Sequence, residues 1–188
     1  ATTVTSDTDT ICQDSSITFT ASPSGYMSYA FYVDMVQVQS GPDSIYTTTN
    51  LSDGSVITVI ATDLACLGPV ATATAITVNP NPSTTLSSTT DSICDGATVT
   101  FTATPSGYSN YDFFANGLIL QNGPVDSYVS STLSDGDLIT VLPTNLGCIG
   151  SITDSIKVVV HPIPYVSFLS DTACVEDVSQ FLVDSAST

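Results

Sequence analysis

The stretch Ile17-Thr18-Phe19-Thr20-Ala21 gives the clearest structural signal in this chain, and it returns later as Val99-Thr100-Phe101-Thr102-Ala103. Apolar and hydroxyl side chains alternate along both stretches, which is the pattern of a β-strand with one buried and one solvated face. The chain is rich in Ser and Thr, and residues that favour helices, such as Lys, Arg and Glu, are nearly absent. The pattern therefore predicts an all-β protein.

The surroundings of this strand also recur, and every matched position keeps the same offset (99 − 17 = 82, 94 − 12 = 82). The matched positions are Cys12, Pro23-Ser24-Gly25-Tyr26, Asp53-Gly54 and Cys66, followed by Cys94, Pro105-Ser106-Gly107-Tyr108, Asp135-Gly136 and Cys148. A fixed period of this length indicates tandem copies of one structural unit. We predict one domain over residues 1–80, a second over 81–163, and the truncated start of a third over 164–188.

Each copy contains six or seven short apolar segments separated by Gly and Pro, which favours a β-sandwich of the Ig-like type. No Trp is present, and Phe31 and Phe113 stand where a core Trp would be expected. The predicted fold class is all-β, with tandem Ig-like sandwiches in an extended rod and one intradomain disulfide in each. Two modules of this kind would form a rod of about 80–90 Å, from strands rising ~3.3 Å per residue plus end loops.

Charge excludes several classes of partner. Eighteen acidic residues face one basic residue, Lys157, which gives a net charge of −17. Binding to nucleic acid or to an anionic membrane surface requires clustered cations, so neither is expected. No segment resembles a signal peptide, and no apolar run approaches the ~18 residues of a membrane span.

The cysteines also follow the period. The spacing from Cys12 to Cys66 equals the spacing from Cys94 to Cys148 (66 − 12 = 54, 148 − 94 = 54). We predict a Cys12–Cys66 and a Cys94–Cys148 disulfide, each joining loops at one end of its sandwich, with Cys174 unpaired in the third copy. Bonding between copies is the alternative, and it would need a less regular geometry. Zinc is disfavoured because the chain has one histidine and no CxxC spacing. Disulfides imply an oxidising, extracellular compartment.

Candidate site residues are few. Calcium, the one cofactor that the composition suggests, takes carboxylate oxygens. The candidate ligands are Asp7, Asp9, Asp91 and Asp95 near the domain ends, with Asp135 and Asp137 on a loop that could face a neighbour. Aspartates that form turns and carry solvating charge are the alternative interpretation. Tyr26 and Tyr108 could stack on a sugar, or they could simply pack along a half-buried sheet. His161 and Cys174 have no partner group for catalysis, and we predict that the chain is not an enzyme.

The residues that carry a family resemblance are Cys … Phe-x-Ala … Tyr-x-Phe-[Tyr/Phe] … Asp-Gly-x-x-Ile-Thr-Val … Leu-x-Cys-x-Gly, closed by Pro-x-Pro. This pattern resembles the Ig-like and PKD-like tandem repeats of giant cell-surface adhesins of gliding Bacteroidota, the SprB-type gliding-motility adhesins. The start of the third copy, from Cys174 to Phe181, is similar to the opening of a PKD domain. The resemblance implies secretion, anchoring at the cell surface, and adhesion to polysaccharide or solid substrata.

We therefore expect a structural stalk or spacer segment of a filamentous bacterial adhesin, involved in surface adhesion and gliding motility. Its partners would be neighbouring repeats of the same chain, with polysaccharide or other substrata bound through other regions. The alternative is a carbohydrate-binding accessory module of a secreted polysaccharide-degrading enzyme. A binding module should repeat an exposed aromatic or acidic cluster, whereas exposed positions such as Gln37 and Ile119, or Thr72 and Asp154, differ between the copies.

Overall fold

A computed structural model describes residues 1–166, and the whole of this part is built from β-strands and connecting loops. The first copy contributes β1 (Thr3–Ser6), β2 (Thr10–Cys12), β3 (Ile17–Ser22), β4 (Ser28–Val33), β5 (Val36–Gly41), β6 (Ile45–Thr48), β7 (Ile57–Asp63), β8 (Cys66–Leu67), β9 (Ala71–Thr72) and β10 (Thr77–Asn79). The second contributes β11 (Thr85–Ser88), β12 (Ser92–Cys94), β13 (Val99–Thr104), β14 (Asn110–Ala115), β15 (Leu118–Gly123), β16 (Ser127–Ser130), β17 (Leu138–Asn145), β18 (Cys148–Ile149), β19 (Ser155–Lys157) and β20 (Val159–His161).

Both copies build the same set of sheets. In the first, β1, β3 and β6 form an antiparallel sheet, β5, β4 and β7 form a second sheet that β8 and β9 complete, and β2 pairs in parallel with β10. In the second, the corresponding sheets are β11-β13-β16, then β15-β14-β17 with β18 and β19, then β12-β20. The predicted all-β fold is confirmed, and the repeat in sequence is also a repeat in strand topology.

Strand β3, which contains the alternating stretch from Ile17 to Ala21, lies at the centre of its sheet. β3 pairs with β1 on one side and β6 on the other, and its side chains alternate between buried and accessible positions as predicted. Phe19 from β3 and Phe31 from β4 are fully buried, and both rings contact Tyr46 at centroid distances of 6.3 and 5.7 Å. Phe31 therefore occupies the core position expected for it, and the second copy repeats this cluster with Phe101, Phe113 and Tyr128.

A buried tyrosine on β4 hydrogen-bonds to the loop that follows β3. The Tyr29 ring is fully buried, and its hydroxyl donates to the Pro23 carbonyl at 2.7 Å. The same hydroxyl accepts the backbone N–H of Tyr26 at 3.1 Å. Tyr111 repeats the first of these bonds with the carbonyl of Pro105, also at 2.7 Å. A buried hydroxyl is stabilising when it is satisfied in this way, and this role explains why a tyrosine stands at both positions.

The hairpins that follow use left-handed backbone. Asn116 and Gly117 between β14 and β15 have φ values of 50° and 81°, which is the geometry expected for an Asn-Gly turn. The first copy adopts the same turn with Asp34 and Met35, at φ values of 47° and 70°, although Met rarely takes that conformation. The two copies therefore share the turn geometry, although the residues of the first copy favour it less.

The described chain forms two compact units. The first holds Ala1–Ser83, Tyr108–Asn110 and Leu142–Ser151, and the second holds Thr84–Gly107, Tyr111–Val141 and the chain from Ile152. The domain boundaries proposed from sequence, 1–80, 81–163 and 164–188, stay predictions. Most of the proposed third domain, with Cys174, lies outside the described residues. Within residues 1–166 we find no helix long and apolar enough to cross a bilayer.

Candidate functional site

The first cysteine of each copy, Cys12 or Cys94, is called here the leading cysteine, and the second, Cys66 or Cys148, the trailing cysteine. Cys12 ends β2, where it lies opposite Asn79 in the parallel pairing with β10. The Gln13 N–H then donates to the Asn79 carbonyl at 2.8 Å. Gln13 lines a shallow cleft with Asp53 and Pro80. The leading cysteine therefore lies at the end of the sandwich where the chain leaves the first copy.

The trailing cysteine Cys66 lies elsewhere. It begins β8 directly after the tight turn that ends β7, and it pairs with Asp63 across that turn. A second shallow cleft brings Cys66 together with Ala1, Thr2 and Tyr26. Cys66 therefore lies at the end of the sandwich where the chain enters the first copy, and its side chain is exposed.

Strand β7 separates the two cysteines of the first copy. It starts shortly after Asp53. The Asp53 carboxylate accepts the N–H of Val78 at 2.9 Å, and Val78 lies on β10, the strand that pairs with the strand of Cys12. It ends at Asp63, opposite Cys66. Its seven residues span about 20 Å at ~3.3 Å each. A disulfide requires Cα atoms roughly 4.4–6.8 Å apart, so Cys12 and Cys66 cannot bond within the folded sandwich.

The structure instead bonds the leading cysteine of one copy to the trailing cysteine of the other. Cys12 and Cys148 form a disulfide with a Cα–Cα distance of 5.5 Å, and both belong to the first compact unit. Cys66 and Cys94 are free and exposed. The predicted pairings Cys12–Cys66 and Cys94–Cys148 are therefore wrong in this structure. The equal spacing within each copy was misleading, because a fixed period is equally regular for bonds within and between copies.

Close packing holds Cys148 in place. Cys148 is only 1% exposed, and the side-chain amide of Asn79 donates to the carbonyl of neighbouring Leu146 at 3.3 Å. Gly150 passes so close to residues 79–82, the linker after the first copy, that a Cβ on it would collide with the carbonyl oxygen of Pro82 and lie 2.8 Å from Cγ of Pro143. Only glycine fits there, and we call the contact of Gly150 with Pro82 the linker contact.

Three of the candidate calcium ligands accept hydrogen bonds from strand or loop residues of the same copy. Asp7 accepts the Thr18 N–H at 3.3 Å, Asp9 accepts the Ser6 hydroxyl at 3.0 Å, and Asp135 accepts the Val160 N–H at 3.0 Å. The backbones of Asp91 and Asp95 hydrogen-bond to the backbone of β20. Within residues 1–166 no three acidic, His or Cys side chains converge as a metal site would require. Calcium binding stays an untested prediction.

The last candidate, Asp137, belongs to a pair that differs between the copies. Asp137 accepts the side-chain amide of Asn116 at 2.7 Å and the Ser134 N–H at 2.8 Å. In the first copy the corresponding residues are Asp34 and Ser55, and the Ser55 hydroxyl donates to the Asp34 carboxylate at 3.0 Å. The carboxylate therefore stands at the first position of the pair in the first copy and at the second position in the second copy. In each copy one hydrogen bond joins the two side chains. This explains why neither position keeps the same residue.

Replacing Asn116 with Asp is expected to destabilise the second copy by about 1 kcal/mol, because the hydrogen bond to Asp137 becomes a contact of two carboxylates. Adding Asp137→Ser should restore the stability, because it recreates the Asp–Ser pair of the first copy. Urea unfolding of the single and double variants measures both. Asp34→Asn is the matched control and should change little, and a double variant no more stable than N116D would contradict this account.

The two tyrosines proposed for sugar binding are half-buried. The ring of Tyr26 packs against Tyr29 at a centroid distance of 6.0 Å, and the Tyr108 hydroxyl donates to the Ser83 carbonyl at 3.3 Å. His161 ends β20, where its Nε2 lies 3.0 Å from the Ser92 hydroxyl. Tyr26 lines the same cleft as Cys66, and the His161 carbonyl accepts the N–H of Asp95 at 2.9 Å. Sequence reasoning missed the linker contact, for which the shared Leu-x-Cys-x-Gly motif was the available signal.

Comparison with known proteins identifies the fold. No protein-family model matches the sequence, and no curated protein matches it. A marsupial T cell receptor structure is similar with a TM-score of 0.53 at 15% identity, over 89% of this chain and 77% of that one. Fibronectin(III)-like modules of Clostridium thermocellum CbhA are similar with a TM-score of 0.44 at 16% identity, over 85% of this chain and 94% of that one. Murine CEACAM1b has a TM-score of 0.44 at 14% identity, over 86% and 100%.

The similarity to the T cell receptor structure, with the sheet topology, shows an Ig-like β-sandwich fold. The predicted Ig-like class is confirmed. Such a fold with a disulfide is typical of extracellular domains. Fold alone does not define a function.

Proposed function

We propose that this chain is a structural spacer segment of a filamentous bacterial cell-surface adhesin, exported from the cell and serving surface adhesion and gliding. The proposal rests on which positions hold similar residues in the two copies and which do not. They share the buried strand positions, the left-handed turns and the cysteines, while accessible positions such as Gln37 and Ile119 differ. Repetition that preserves packing and spacing supports a spacer.

The shared Ser-Gly-Tyr loop is the one feature that could suggest a repeated ligand site. Gly25 and Gly107 have φ values of 100° and 92°, where L side chains are strained, so the backbone itself requires glycine. Tyr26 packs against the core tyrosine of its copy. Both shared residues therefore have structural reasons to recur, and their recurrence does not require a sugar.

The test is binding of the full chain to an array of polysaccharide fragments. A spacer should give no signal above that of a Tyr26→Ala/Tyr108→Ala variant. An accessory carbohydrate-binding module should instead give concentration-dependent binding that this variant loses. Met27→Ala is the matched control, since Met27 is 63% exposed in the same loop and its loss should change nothing. Sugar-specific binding abolished only by the tyrosine changes would overturn the spacer proposal in favour of the accessory module.

A further inference from the structure

The two free cysteines lie at positions equivalent to the two bonded ones. Cys94 is the copy of Cys12 and Cys66 is the copy of Cys148, each at the repeat offset (94 − 12 = 82, 148 − 66 = 82). The described disulfide therefore uses one cysteine of each class, and one of each class remains free and exposed. Each free cysteine also lies in the same strand pairing as its bonded counterpart.

The surroundings of Cys12 are rebuilt around Cys94. Cys94 ends β12 opposite His161, as Cys12 ends β2 opposite Asn79. The N–H of Asp95 donates to the His161 carbonyl at 2.9 Å, which reproduces the 2.8 Å bond after Cys12. The cleft beside it is lined by the corresponding residues, among them Asp135 and Pro162. The end of the second copy is thus shaped like the end of the first that holds a disulfide.

The surroundings of Cys148 are likewise rebuilt around Cys66. Cys66 lies opposite Asp63 across its turn, as Cys148 lies opposite Asn145. The N–H groups of Gly68 and Gly150 donate to the carbonyls of residues 61 and 143, both at 2.8 Å. The two sites differ in exposure. Cys148 is 1% exposed, and Cys66 is open to solvent.

We propose that Cys66 and Cys94 are half-cystines of further disulfides between successive repeats of this type. Cys66 takes the leading cysteine of a preceding repeat, and Cys94 takes the trailing cysteine of a following one. Every repeat would then be bonded to both neighbours and would have no bridge of its own. This inference extends the proposed spacer function. Its failure would appear as free thiols, whereas failure of the spacer function would appear as sugar binding.

The chemistry requires an oxidant of the disulfide class, and glutathione disulfide supplies it in the test. A cysteine thiolate attacks glutathione disulfide and releases one glutathione thiolate, and the partner thiolate then displaces the second. Two cysteine thiols lose two protons and two electrons as one S–S bond forms. The oxidant takes up the electrons and leaves as two molecules of glutathione.

The test adds one repeat in front of the full chain, by placing a copy of residues 83–164 directly before Ala1. Cys94 of the added copy then precedes Cys66 by 136 residues, the separation of the described disulfide. After refolding with glutathione disulfide, peptide mapping without reduction should find these two cysteines joined and Cys66 protected from alkylation. The Cys12–Cys148 bond in the same sample shows that the chain has folded. A free Cys66, or a bridge within the added repeat, would overturn the proposal.

A second chain tests Cys94 independently. A copy of residues 1–82 is inserted after Pro164, which keeps the period and again places the two cysteines 136 residues apart (164 + 66 − 94 = 136). Cys94 should lose its reactivity toward alkylation and bond to the inserted Cys66. The matched control replaces the inserted Cys66 with Ser, which should leave Cys94 reactive. If the first chain does not fold, this one decides, and a reactive Cys94 beside an intact Cys12–Cys148 bond rejects the proposal.

Discussion

Replacing Cys12 with Ser is expected to lengthen the fully stretched chain by about 450–490 Å when it is pulled by its two termini. The disulfide to Cys148 holds 136 residues out of the path of the force, and an extended residue spans roughly 3.3–3.6 Å. In the oxidised chain those residues cannot contribute to extension, even when both sandwiches unfold. Single-molecule force spectroscopy of the oxidised chain and the C12S variant measures the difference.

The same experiment separates the observed pairing from the one that regular spacing suggested. Bridges within each copy would enclose much shorter loops (66 − 12 = 54), so C12S would release only about 180–195 Å. Cys66→Ser would release the same length under that pairing. It should release none under the pairing in the structure, where Cys66 is free. A gain in length with C66S would therefore contradict the Cys12–Cys148 bond.

This result bears directly on the spacer proposal. A stalk under tension must hold its length, and a bond between successive copies removes most of the chain from the extensible path. On the chain-entropy model, closing a loop of this size also stabilises the folded state by about 5 kcal/mol. That is comparable to the whole stability of a small domain. The bond is therefore expected to limit both unfolding and the extension that unfolding would permit.

Replacing Gly150 with Ala is expected to cost about 2–3 kcal/mol of unfolding free energy. Its Cβ would collide with the carbonyl oxygen of Pro82 and lie 2.8 Å from Cγ of Pro143. One neighbour is backbone and the other a rigid proline ring, so neither can move aside as a flexible side chain would. Relief requires the linker to shift away from Cys148. Thermal unfolding monitored by circular dichroism should show a melting temperature lower by about 10 °C or more.

Gly68→Ala is the matched control, because Gly68 lies at the corresponding place in the first copy. Its Cβ would lie 3.1 Å from the carbonyl oxygen of Ala61, a tight contact that a shift of a few tenths of an ångström relieves. We expect a cost below about 1 kcal/mol. In the chain extended by a preceding repeat, the added linker should cover Gly68 and make this change as costly as G150A. Equal costs for both variants in the unextended chain would contradict the linker contact.

Much of the fold could be predicted from the sequence because the signals are local. The alternation of apolar and hydroxyl residues over positions 17–21 predicted a strand with one buried face. The structure confirms this, because Phe19 is fully buried and the side chains of the strand alternate between buried and accessible positions. The Asn116-Gly117 turn was equally readable, since left-handed backbone favours these residues. Candidate site residues were less predictable. An isolated Asp can carry solvating charge or bind calcium, and an isolated Tyr can pack in the sheet or bind a sugar. Only the neighbours of the residue in space distinguish these roles.

The period, the strand-forming segments and the two classes of cysteine could be read from the sequence, because each of these depends on residue type and spacing along the chain. Which cysteines bond could be read only from the folded chain. Disulfide formation depends on a distance in space, and β7 carries the chain from the end that holds Cys12 to the end that holds Cys66. The direction of one strand therefore separates two cysteines that the sequence places in a regular pair, and Cys12 bonds to Cys148 instead.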